Sequence, residues 1–66
     1  MNFKIEFERE EDGRWIAEIP DLPGVMAYGA TRGEAEAAVE ALALRVIADR
    51  IESDKVAQKT ISFATT

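Results

Sequence analysis

Apolar and polar residues begin to alternate at the third position, where Phe3, Ile5 and Phe7 are separated by Lys4, Glu6 and Glu8. A period of two sends successive side chains to opposite faces of an extended chain, so this run reads as a strand with one buried and one wet face. The charged stretch Arg9 to Asp12 then meets Gly13. An Asp-Gly pair between alternating runs is a hairpin signal, because glycine takes a positive φ without steric cost. The second strand follows, with Trp15, Ala17 and Ile19 on one face and Arg14, Ile16 and Glu18 on the other, until Pro20 removes a ladder donor. Asp21-Leu22-Pro23-Gly24 reads as a turn. Val25 to Tyr28, short and bounded by Gly24 and Gly29, reads as an edge strand.

The period then changes. Thr31 and Glu34 have the spacing of a capping box, and a long helix is predicted from about Arg32 to Glu52, leaving at Ser53-Asp54. Lys59 to Ala64 alternates again as a fourth strand. The pattern β-β-β-α-β predicts a single α+β domain over residues 1–66, an antiparallel three-stranded meander followed by a crossover helix and a last strand. Phe3, Ile5, Phe7, Trp15, Ala17, Ile19, Ile61 and Phe63 are the expected inner face of the sheet.

Stepping 100° per residue divides the apolar helix positions into two stripes. Ala35, Ala38, Val39, Leu42 and Val46 fall on one side. Ala37, Ala41, Leu44, Ala48 and Ile51 fall nearly opposite, with Glu36, Glu40, Arg45 and Glu52 between them. One stripe serves the sheet. The other, through Leu44 and Ile51, is expected to meet a second chain, since monomers rarely expose large apolar patches; alanine as a plain helix former is the bland reading. The outer sheet face offers another candidate surface, with Ile16, Met26 and Tyr28 on neighbouring strands. The edge Val25 to Tyr28 has backbone groups free to pair with a second copy. Ile16, Val25, Met26, Tyr28, Leu44 and Ile51 are thus the expected oligomer contacts, in a homo-oligomer of two or four chains.

Composition narrows the chemistry. The chain has 66 residues, no cysteine and no histidine, so disulfides, thiolate metal sites and the usual neutral-pH acid-base agent are absent. So short a domain buries roughly 60% of its unfolded surface, which favours oligomerisation or a tight partner. The carboxylates of Glu6, Glu8 and Glu18 read as the wet face of strands and those of Glu10 to Asp12 as a solvated hairpin, so neither catalysis nor a metal or other cofactor is expected. A formal charge of -5 disfavours direct nucleic-acid binding and favours encounter with a basic protein. The longest nearly uncharged helix run stops at Arg45, so no membrane span is expected. The N-terminus lacks the features of a signal or transit peptide, and a cytoplasmic location is the default expectation.

The order of motifs from Asp12 to Ala35 resembles the HicB antitoxin family. The residues carrying the resemblance are Asp12-Gly13, Trp15 and Ala17, Pro20-Asp21-Leu22-Pro23-Gly24, and Gly29, Thr31, Glu34 and Ala35. The resemblance implies a partial ribonuclease H-like fold with strand order 3-2-1-4. It also implies the antitoxin of a type II toxin-antitoxin pair, which binds and occludes a small basic HicA-like mRNA-cleaving toxin. The carboxylates of Glu6, Glu8, Glu18 and Asp21 are then the expected toxin contacts, standing where RNA phosphates would lie. Many family members continue into a ribbon-helix-helix or helix-turn-helix segment that binds the operator. The sequence ends at Thr66 without one, so any autorepression is expected to require another protein. The alternative is a solitary oligomeric interaction or regulatory module with no toxin partner.

Overall fold

The computed structural model describes residues 1–65. Its elements are β1 (Asn2–Arg9), β2 (Trp15–Glu18), β3 (Met26–Gly29), α1 (Arg32–Asp54) and β4 (Ser62–Thr65). They form one four-stranded sheet in the order β3-β2-β1-β4, with β1 parallel to β4 and the other pairs antiparallel. The α+β class is as expected from the sequence pattern, and the 3-2-1-4 order is the one that the family resemblance implies. Among the described residues, no helix is long and apolar enough to cross a membrane.

Turn chemistry sets the register of the meander. The Gly13 amide donates to the Glu10 carbonyl at 3.0 Å, and the Glu10 amide donates to the Arg14 carbonyl at 2.7 Å. Gly13 has φ +91°. This is a three-residue loop closed by a glycine of positive φ rather than a two-residue Asp-Gly turn. Asp12 Oδ1 accepts from the Arg14 amide at 3.0 Å and Oδ2 from the Arg14 Nε at 2.7 Å. The backbone hydrogen bond and then the side-chain bond hold this carboxyl below its ordinary pKa of 3.8. A lowered carboxyl pKa adds stability above the ordinary value and loses it as pH falls through the shifted one.

The second connection folds inward. The Leu22 amide donates to the Ile19 carbonyl and the Val25 amide to the Leu22 carbonyl, both at 3.0 Å. Pro23 and Gly24, the latter with φ +81°, occupy the central positions of the second turn, where glycine is needed. Doubling back this way buries Leu22 and Val25, at 1% and 3% exposure. Val25 is therefore no seam residue: it precedes β3, and the period of two aims it inward with Ala27.

The helix lies mainly over β2 and β3. Thr31 Oγ1 accepts from the Glu34 amide at 3.1 Å, and Glu34 Oε2 accepts from the Ala30 amide at 3.0 Å. The capping box thus reaches one residue further back than its usual form. Beside it, Gly29 touches the helix backbone. A Cβ there would overlap the Ala35 nitrogen and sit 2.8 Å from the Glu34 carbonyl carbon.

The buried helix row is Ala35, Val39, Ala43 and Ile47. Ala43 and Ile47 belong to neither expected stripe, while Ala38, Leu42 and Val46 are half-buried beside the row. Ile51 is also half-buried and packs on the core, so it does not stand clear on the opposite face. The row advances about 40° per four-residue step, so it winds across a fixed stripe. Beyond the helix cover, the Phe3 and Phe63 rings stack tilted at 6.0 Å and the Arg32 guanidinium lies 4.2 Å from the Phe7 ring centre. Among the described residues no buried side-chain polar atom lacks a partner.

Two outcomes check this account in urea unfolding. Gly29→Ala should cost about 2–3 kcal/mol because rigid backbone must move, whereas Gly33→Ala, with open space around it, should gain up to about 1 kcal/mol. The helix ends at Lys55, whose φ of +56° is left-handed, with its amide donating to the Ile51 carbonyl at 2.8 Å. Lys55→Gly should add about 1 kcal/mol by removing the Cβ penalty while keeping that bond, and a loss of stability would contradict it.

Candidate acidic face of the sheet

Alternation along β1 and β2 turns Lys4, Glu6, Glu8, Ile16 and Glu18 away from the helix, and the register decides which of them meet. Glu6 lies directly opposite Glu18, and Glu8 opposite Ile16. On the other side of β2, Ile16 faces Tyr28 and Glu18 faces Met26. Two rows therefore cross the outer surface, Glu6-Glu18-Met26 and Glu8-Ile16-Tyr28. Carboxylates occupy the centre of the sheet, and an apolar band lies toward the β3 edge.

All three glutamates are exposed or only partly covered at the surface, and they border a shallow depression of ≈ 370 Å³ together with Ile16 and Met26. Directly opposed like charges on neighbouring strands destabilise a sheet by a few tenths to about 1 kcal/mol. The Arg14-Asp12 ion pair lies in the hairpin and does not involve these glutamates. Lys4 is a cation on this face, in register with Ala64 of β4. The arrangement gives a negative field over the middle of the sheet and an open surface in place of an enclosed cavity.

Met26 and Tyr28 are 43% and 48% exposed, while Ile16, opposite Tyr28 on the same face, is half-buried. The Arg14 guanidinium lies 4.6 Å from the Tyr28 ring centre, close enough for a cation-π contact. Strand parity places Arg14 on the face of Ile16, but this contact depends on the three-residue hairpin loop, which the sequence does not announce.

Of the four carboxylates expected to act together, the structure groups Glu6, Glu8 and Glu18. Asp21 is exposed in the turn between β2 and β3, outside the sheet register. Among the described residues no group of three or more histidine, cysteine, aspartate or glutamate side chains is placed to hold a metal ion. What this face can offer is electrostatic and apolar contact to another macromolecule. Comparisons with protein-family models, with curated proteins and with solved structures gave no match to this chain.

Proposed function

We propose that this domain is a partial ribonuclease H-like antitoxin module of the HicB type, which binds a small basic HicA-like mRNA-cleaving toxin and blocks it by occlusion in the cytoplasm. The observation that carries the reading is the cross-strand pair Glu6-Glu18 with Glu8 beside it, a negative patch at the centre of an open sheet face. Such a patch costs folding stability and gains when a cation is brought to it. A toxin surface built to hold RNA phosphates carries arginine and lysine in a suitable array, and carboxylates accept the same charge-assisted hydrogen bonds. The apolar band of Ile16, Met26 and Tyr28 adds desolvated contact at the rim of the patch, where aromatic and methionine side chains are favoured at interfaces. The role requires no reaction on the part of this chain.

The direct test is co-expression with a HicA-like toxin, the adjacent one if this gene has such a neighbour and otherwise the most similar one. Restored growth and a co-purifying complex of defined mass support the proposal. A folded chain that neither rescues growth nor forms a complex overturns it.

Charge reversal separates stability from binding. Glu18→Lys turns a repulsive pair into an attractive one, so unfolding in urea should show a gain of about 0.5 kcal/mol. The same variant should slow toxin association about tenfold at low salt, with the difference shrinking as salt is raised. Equal association rates for the variant and the parent chain at low salt would remove this face from the contact.

A further inference from the structure

The strands of the helix-bearing half are short and the helix is long. At 1.5 Å per residue its 23 residues reach about 34 Å, against about 26 Å for the eight residues of β1. In the C-terminal half of α1 Ala43 and Ile47 stay buried, while Leu44 stands 46% exposed with Ala48 exposed and Ile51 half-buried on the adjoining side. Relative to Leu44, Ala48 and Ile51 lie within about 40° around the axis, and Arg45 and Glu52 lie about 80–100° away on one shared flank. Arg45 and Glu52 are exposed and sit about 10.5 Å apart along the helix, too far to pair with each other. Neither forms an ion pair among the described residues.

That flank is complementary to itself. A two-fold axis perpendicular to a pair of antiparallel helices places each flank beside the same flank of the other copy. With the axis beside Ala48, Arg45 meets Glu52 of the partner subunit and Glu52 meets Arg45 of the partner subunit, while Leu44 packs against Ile51 of the partner subunit and Ala48 allows close approach. Other registers do worse. Centring the pair near Ala43 sets Glu34 against Glu52, and centring it further toward the N-terminus leaves Ile51 beyond the end of the partner helix.

We infer that the exposed side of α1 is a homodimer seam, in which a second copy of this chain packs antiparallel along Leu44, Ala48 and Ile51 and two reciprocal Arg45-Glu52 ion pairs fix the register. The occupant is a second copy because the charge order on the flank matches its own reverse. The contact is small, so the dimer belongs to the weak, concentration-dependent class. It lies on the helix layer and leaves the acidic sheet face free, so it is tested on the chain alone, without a toxin.

Sedimentation of the full chain over a concentration series tests it, with Arg45→Glu and Glu52→Arg measured alone and mixed. Both positions are exposed on the helix, and circular dichroism reports whether each variant keeps its fold. The parent chain should approach twice the monomer mass as concentration rises, and each variant should remain at the monomer mass under the same conditions. An equimolar mixture of the two variants should return to the dimer mass. In that heterodimer the two substituted positions face each other with opposite charges, and the unsubstituted Arg45 of one chain still meets the unsubstituted Glu52 of the other. A monomeric parent chain, variants that still dimerise, or a mixture that stays monomeric would each overturn the seam.

Discussion

The contact between Gly29 and the first turn of α1 is the constraint on which the other layers depend. Only Ala30 and Thr31 separate the end of β3 from the start of the helix, so the chain must reverse over the edge of the sheet with almost no slack. It does so because Gly29 has no Cβ and lets the Ala35 backbone settle against the strand, while Thr31 and Glu34 satisfy amides that the reversal exposes. With this end pinned, the helix direction is set. Ala35 sits where the helix meets Gly29, and Val39, Ala43 and Ile47 continue the buried row along the core.

Local chemistry is legible in the sequence and helix phase is not. Alternation marks β1 and β2, Asp12-Gly13 and Pro23-Gly24 mark the reversals, and Thr31 with Glu34 marks the helix start, because each depends on residues within a few positions. The helix face is harder to read, since alanine serves equally as a core residue and as a plain helix former. A straight stripe also divides a row that winds about 40° per four residues, which is how Ala43 and Ile47 escape it. Leu22 and Val25 are not marked as core for another reason. Proline and glycine announce a turn, but nothing nearby says that the turn folds back under the sheet instead of projecting into water.

The acidic face is half legible. Parity puts Glu6, Glu8 and Glu18 on the wet side of their strands, yet which of them oppose each other is a matter of register, and a slip of one residue would send each side chain to the other face. The hairpin loop fixes that register through Gly13 and the Glu10-Arg14 pair. Loop geometry thus converts a scatter of surface glutamates into the opposed pair Glu6-Glu18. Asp21 has no such ladder to place it, and it stays apart.

The inferred helix seam and the acidic face lie on opposite layers, yet net charge would link them. Each chain carries a formal charge of -5, so bringing two copies together works against a general repulsion that short-range complementarity at Arg45 and Glu52 must overcome. A cationic partner held on the outer face would lower that repulsion for the next copy, and by linkage a paired domain would hold such a partner more tightly. The coupling requires no movement of the sheet or the helix. It follows from net charge and from the Debye length, which at about 8 Å in physiological salt is short enough to make the effect modest and salt-dependent.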